Sequence, residues 1–345
     1  AIMLVPIISF FVSLLFGAVL LALSGANPFV TYAAMARGAF GTWRNFTETL
    51  VKAIPLMFTG LGVSIAFRMR FWNIGAEGQL VLGGVAAAWM ALYGAGVVPD
   101  WTLLPLAMLF GMIAGALLAG LPAVLKATLN VDETLTTLML NYVAILYYRH
   151  LFNGPWRDPE GYGFPGTAQF SQAAWLPRLS GRAHVGLIIA FILAGVLWFV
   201  FNRTRWGFEL KIIGENQMAA RYLGINIGRN IVLALLLSGA LSGLAGAGEV
   251  LGIAHRLQQG LSLNYGYTAI IVAWMAQLNP IAVVFVAVLM AALLVGGDQV
   301  QIMMGLPAAV GLVLQGMILI PMLAGSLFTE YRVKIIKSEE LRVKS

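Results

Sequence analysis

Residues 71–80 read FWNIGAEGQL, and the fold turns on how this run is placed. It follows an apolar stretch ending in Phe67-Arg68-Met69-Arg70 and leads directly into another. Asn73, two glycines, Glu77 and Gln79 therefore stand at the edge of a segment otherwise suited to hydrocarbon. A charge at the centre of a bilayer costs about 2.5–3.5 kcal/mol even on the lenient scale. Such residues face a cavity, a partner or the interface. Glycine permits an irregular backbone there, and an asparagine amide can satisfy carbonyls freed from a helix.

The surrounding chain fixes what that segment is embedded in. Of 345 residues, 60% are hydrophobic and only 10% charged, against about 25% charged in a soluble domain. Apolar runs of roughly 18–25 residues, the length of a bilayer-crossing helix, recur throughout. The ten-residue alternating segments of a β-barrel do not. The expected fold is an all-α polytopic membrane protein. Its spans are placed at 2–23, 50–67, 74–93, 101–125, 131–152, 184–202, 231–253, 265–278, 280–297 and 306–328, with 28–46 as an amphipathic helix or a plain connection. The net charge of +7 fits basic loops that orient a membrane protein and does not call for nucleic acid. Cysteine is absent and the three histidines, 150, 184 and 255, are scattered, so neither a metal site nor a catalytic set is expected. Residues 1–23 lack a basic leader and a cleavage site and read as a first span. The missing initial Met suggests a trimmed N-terminus.

Spans three and eight begin alike. Asn73 and Gly75 in WNIGAEG match Asn264 and Gly266 in LNYGYTA. With ten crossings these starts occupy equivalent places in two halves of opposite sense. The expectation is a 5+5 inverted repeat with broken or re-entrant helices around a pathway. Both termini then share one side, and the larger share of Lys and Arg falls there, which makes it cytoplasmic. The chain divides into 1–203, the first half plus span six, with an outer loop at 153–183; 204–230, a cytoplasmic loop; 231–328, the remaining spans; and 329–345, a cytoplasmic tail.

Within this plan Glu77 and Glu249 either serve the pathway or gate, pair with Arg68 or Arg70, or cap a broken helix. Asp298, beside Gly296-Gly297, suits a turn or cap. In NVDETLTTLMLNY, 130–142, Asp132 or Thr134 can cap a helix. Thr134, Thr137 and Asn141 then form one polar stripe that faces a solute route or a neighbouring helix. The spacings Gly111/Gly115, Gly239/Gly243 and Gly248/Gly252 allow close helix contact. The Gly-, Pro- and Trp-rich 153–183 loop either docks an external partner or caps the bundle. In 203–230, a short helix from Glu215 to Tyr222 is punctuated by Gly214 and Gly224. No G-x-x-x-x-G-K-[ST] phosphate loop occurs in the sequence, so ATP is not bound in that manner.

FWNIGAEGQ, VDETLTTLMLNY, DPEGYGFPGT, GENQMAARYLGIN and LSGALSGLAGAGEV together resemble the permease subunits of bacterial ABC importers in the family serving ribose-type sugars and branched-chain amino acids. The second and third stretches resemble most its nucleoside branch, fed by lipoproteins of the basic-membrane-protein type. The resemblance implies a multi-pass protein of the bacterial inner membrane that is not itself an enzyme and binds no cofactor, ATP being used by a partner. It further implies a heterodimer with a second homologous permease subunit, a cytoplasmic ABC ATPase, an extracytoplasmic substrate-binding lipoprotein and membrane lipid as partners. Gly214–Asn226 would correspond to the coupling helix: Gly214, Glu215, Asn216, Ala219, Ala220, Arg221 and Gly224, with the small alanines approaching the ATPase and Glu215 and Arg221 pairing with it. A nucleoside, mostly neutral, calls for amides, hydroxyls and aromatic faces. Asn73, Glu77, Gln79, Thr137, Asn141, Tyr142, Glu249, Asn264 and Tyr265 are the expected pathway residues. A sugar or other small polar solute is the alternative cargo, and an ion-coupled secondary transporter using Glu77 or Glu249 the alternative class.

Overall fold

The computed structural model describes residues 4–23, 25–261, 263–305 and 309–330. Its helices are α1 (Leu4–Leu23), α2 (Pro28–Phe40), α3 (Trp43–Phe67), α4 (Ala76–Tyr93), α5 (Asp100–Leu129), α6 (Glu133–Asn153), α7 (Gly186–Arg203), α8 (Arg205–Glu215), α9 (Gln217–Tyr222), α10 (Ile227–Glu249), α11 (Tyr265–Met275), α12 (Pro280–Met304) and α13 (Ala309–Glu330). A π-turn, Val250–Ala254, prolongs α10. Two short strands, β1 (Arg178–Ser180) and β2 (Ala183–His184), pair antiparallel in the loop between α6 and α7.

The all-α membrane character follows from composition, but the ten-span, 5+5 inverted repeat does not hold. Among the described residues five helices are long and apolar enough to cross a membrane: α3, α5, α7, α10 with its π-turn, and α12. A sixth crossing arises if Phe10–Leu23 and Pro28–Phe40, bent by 116° at their junction, count as one. The physical reasons lie in the expected spans themselves. The 74–93 span is α4, whose first turn holds Glu77 and Gln79. The 131–152 span is α6, which opens on ETLTT and carries Arg149 and His150 near its end at Asn153. The 265–278 span is α11, only 11 residues long, or about 16 Å at 1.5 Å per residue, where a hydrocarbon core is about 30 Å thick. Of the expected 306–328 span, residues 306–308 lie outside the described residues, as do residues 331–345 of the expected tail. Five or six crossings among the described residues leave no two halves of five, so the Asn73/Asn264 match is a likeness of two helix starts and not a repeat.

Packing follows small residues. α4, α5 and α10 meet through Gly83, Gly111, Gly115, Gly239 and Gly243, where a methyl on any one would overlap the neighbouring backbone or side chain. With lipid on the outside as apolar as leucine, such backbone approach gives helix association its van der Waals gain. α3 runs through the centre; Ile54, Leu56, Met57, Phe58, Leu61 and Ile65 are completely enclosed. The 28–46 segment resolves into α2, capped by Asn27, whose Oδ1 accepts from Phe29 N at 3.0 Å, and the first turn of α3. α2 lies against α12, with Met35 packed on Gly296 and Gln299 on Gly38. α12 continues past Gly296-Gly297 to Met304, so Asp298 sits within a helix rather than in a turn and pairs with Lys52 of α3 at 3.5 Å.

Candidate functional site

The polar run 71–80 forms the coil and first turn that carry the chain from α3 into α4, and its side chains satisfy one another. The Asn73 and Gln79 amides form a reciprocal pair: Nδ2 donates to Oε1 at 3.1 Å and Nε2 to Oδ1 at 3.0 Å. Asn73 Nδ2 also donates to Ser238 Oγ at 3.0 Å, eleven residues into α10, and Asn73 Oδ1 accepts from Gly75 N at 3.1 Å. Asn141 of α6 accepts from Gly78 N at 2.8 Å and donates to Ile74 O at 2.8 Å and to the Tyr267 hydroxyl at 3.2 Å. Thr137, one turn earlier, donates back to Glu133 O. Asn73, Gln79, Thr137 and Asn141 are all buried. A buried amide that has its partners stabilises its surroundings and has little capacity left for a solute. Asp132 rather than Thr134 caps α6, its carboxylate accepting from Leu135 N at 2.9 Å.

Glu77 joins this cluster to α11. Its carboxylate, fully buried, accepts from Asn264 N at 3.0 Å and from Gly266 N at 2.6 Å. The first turns of α4 and α11 therefore meet head to head, and a carboxylate sits where the unpaired N–H groups and positive end of α11 favour one. Gly266 makes the approach possible, since a Cβ there would overlap the Glu77 backbone. Asn264 itself takes the left-handed conformation, φ 61°, as the residue before α11. Tyr142 stands apart: it is 55% exposed on the outer face of α6.

Glu249 and Tyr265 contribute to a different place, a cavity of about 340 Å³ between the N-terminal half of α3, the π-turn and the loop residues 256–261 and 263. Glu48, Lys52, Arg182, Arg256, Gln258 and Gln259 complete its polar wall. Sequence reasoning missed these six. The signal was present in RLQQG at 256–260, two amides directly before the short eighth segment, but nothing in the sequence places Lys52 and Arg182 opposite them.

The long 153–183 loop straps this end of the bundle. Thr167 N donates to Leu257 O at 2.9 Å, Phe170 N to His255 O at 2.8 Å and Leu176 N to Leu251 O at 3.0 Å. Trp175 stacks on His255 with ring centroids 4.0 Å apart. His184, completely buried, lies against Gly252, and its Nδ1 accepts from Gly186 N at 3.1 Å. Burial first, and the neighbouring His255 second, push the His184 imidazole down to about 4. Tyr162, 97% exposed, and Phe164 project from the loop's tip.

At the far end of α3, α8 and α9 form a small angle bracket. Asn216 caps α9, its Oδ1 accepting from Met218 N at 2.9 Å and Ala219 N at 3.1 Å, and Gly224 ends it with φ 72°. Gly214 presses on the Arg68 backbone. Trp206 Nε1 donates to Asn230 Oδ1 at 2.9 Å and Asn230 Nδ2 to Glu209 at 3.0 Å, tying α8 to α10. Ala220, expected to face a partner, is instead completely buried against the bundle. A six-residue helix presents only one narrow outer face, and here it holds Met218 and Tyr222, 70% and 90% exposed, extended by Leu223 just past its end at 62% and flanked by Glu215 and Arg221.

The sequence profile described as "Branched-chain amino acid transport system / permease component" matches residues 45–323. A glucose ABC transporter permease protein of Haloferax volcanii is 34% identical over 342 residues, 96% of this chain and 89% of its own. A guanosine ABC transporter permease protein of Bacillus subtilis is 34% identical over 316 residues, 89% of each chain. A nucleoside ABC transporter permease protein of Lactococcus lactis is 31% identical over 304 residues, 85% of this chain and 83% of its own.

Proposed function

The chain belongs to the family of branched-chain amino acid transport system permease components and is a membrane-spanning transport subunit of an ABC-type importer, not a catalyst; we propose that its cargo is a nucleoside. The observation that carries the nucleoside reading is the likeness to the guanosine permease across 89% of both chains, with a second nucleoside permease beside it. A sugar cargo is the second reading, favoured by the glucose permease, which matches 96% of this chain. A nucleoside and a hexose share a feature that bears on recognition: both carry adjacent hydroxyls on a saturated ring.

In this proposal the cavity at Glu249 and Tyr265 is a station on the route. The amide cluster around Asn73 and Asn141, with Glu77, braces the helix starts beside it. The Met218–Leu223 face docks a cytoplasmic ATPase, and Tyr162 and Phe164 meet an extracytoplasmic binding lipoprotein. A second permease subunit completes the pathway, and, with Phe10–Leu23 and Pro28–Phe40 counted as a sixth crossing, both termini lie in the cytoplasm of a bacterial inner-membrane protein. Because the chain has no cysteine, single-cysteine labelling tests the sidedness directly. Gln217→Cys should react only from the cytoplasm and Glu160→Cys only from outside. Uptake of labelled guanosine and glucose by proteoliposomes holding the assembled importer tests the cargo. ATP-dependent guanosine uptake that excess glucose leaves unchanged supports the nucleoside; glucose uptake that guanosine leaves unchanged replaces it with the sugar.

A further inference from the structure

We propose that the cavity at Glu249 is a binding site for the adjacent hydroxyls of a sugar ring, whether in a nucleoside or a free sugar; the inference rests on the importer reading above. Glu249 is the last residue of α10 before the π-turn, and π-turns inside helices are frequent at functional sites. Its carboxylate forms no ion pair or hydrogen bond among the described residues. The two nearest cations are engaged elsewhere: Lys52 with Asp298 at 3.5 Å and Arg182 with Glu48 at 3.1 Å. The wall therefore holds an acceptor free to take its partner from a ligand.

The charges around the cavity narrow that ligand's chemistry. Lys52, Arg182 and Arg256 oppose a cation, while Glu249 and Glu48 oppose an anion. A neutral molecule rich in donors remains. A carboxylate is an acceptor with two oxygens, and two hydroxyls on neighbouring carbons offer it two donors from one rigid ring. Gln259 supplies both a donor and an acceptor for further hydroxyls, and Gln258, whose Oε1 accepts from Arg256 Nε at 2.6 Å, supplies its amide N–H. Ile253 and Leu261 give the C–H face of the ring an apolar floor. The volume of about 340 Å³ lies at the small end of ligand cavities, roughly 300–1,000 Å³, which suits one sugar moiety.

The test uses the permease assembled with its partner subunits in nanodiscs, with Leu263→Cys as a reporter on the cavity wall. Maleimide labelling of this subunit is followed against uridine, glucose and 2′,3′-dideoxyuridine, and uptake is measured on the same preparation in proteoliposomes. Uridine or glucose should slow labelling and the dideoxy compound should not. In Glu249→Gln, of equal size, the half-protecting concentration should rise about tenfold, the loss of one hydrogen bond to a charged group. Co-purification of the ATPase subunit certifies that the variant has folded. Equal protection by dideoxyuridine, or protection unchanged in Glu249→Gln, overturns the site. Uptake of uridine or glucose without any protection overturns the site and leaves the importer reading intact. Absence of both uptake and protection overturns the reading and the site together.

Discussion

The Glu77 carboxylate accepts the Gly266 N–H at 2.6 Å across 189 residues of sequence. It joins the first turn of α4 to the first turn of α11 inside the bundle, and its other oxygen takes the N–H of Asn264. Two helix starts that hydrophobicity alone would leave to lipid are thus held by one buried side chain. Removing it strands the Gly266 N–H in a place water cannot reach and leaves the partly buried Asn264 N–H without its acceptor.

Glu77→Ala should therefore destabilise the purified permease by about 1–3 kcal/mol, the cost of leaving the buried Gly266 donor without a partner. Glu77→Gln keeps one acceptor and should lose about half as much. Thermal unfolding of the detergent-solubilised protein measures both. Equal melting temperatures for wild type and Glu77→Ala would show that the carboxylate does not hold the two starts together.

Gly243 lies against the Gly111 backbone at the centre of the α4–α5–α10 contact. Gly243→Val should force these helices apart and reduce folded yield, with a cost above the 1–3 kcal/mol typical of overpacking, because backbone rather than a mobile side chain is in the way. Gly195, on α7, has open space where a Cβ would stand, so Gly195→Ala serves as control and should be expressed normally. The measurement is the monodisperse fraction in size-exclusion chromatography.

The two faces of α9 should respond differently. Leu223→Asp and Tyr222→Ala, both on the exposed face, should lower ATPase co-purification at least fivefold with the melting temperature unchanged. Ala220→Trp, at a fully buried position, should lower the melting temperature itself. If Ala220→Trp lost ATPase binding while keeping full stability, the buried placement of Ala220 would be wrong.

His184 gives the loop end a dependence on pH. Its imidazole titrates near 4 in the fold, against an ordinary value of 6.5, so the unfolded chain binds the proton more readily. Stability from this group is complete above about pH 6.5 and declines as pH falls towards 4. His255 is shifted in the same direction by its burial and by Arg178 and Arg182, so it adds to the slope. His184→Asn, which keeps an acceptor for Gly186 N but cannot titrate, should flatten the fall in melting temperature between pH 7 and pH 5. A slope identical to wild type would assign the dependence to other groups.

Composition by itself determined that this is a helical membrane protein, because 60% hydrophobic residues in long runs cannot be buried in a soluble core of this size. Local motifs were equally legible. The cap at Asp132 and the stop at Gly224 depend only on neighbours a few residues away, whereas the short helix expected from Glu215 begins only at Gln217, with Gly214 and Glu215 closing α8. The glycine spacings likewise announced close packing, and α5 and α10 meet there. The number of crossings was not legible, since an apolar window has the same composition whether it meets lipid or other helices. In α4 nearly every residue through Ala91 meets protein. The roles of the polar residues were not legible either. Asn73, Gln79 and Asn141 looked free for a solute until the fold supplied partners up to 165 residues away. Ala220 looked exposed until α9 was rolled against the bundle. Tertiary contact alone decides which polar group is satisfied and which, like Glu249, still faces a cavity, because a hydrogen bond depends on distance in space and the sequence records only order along the chain.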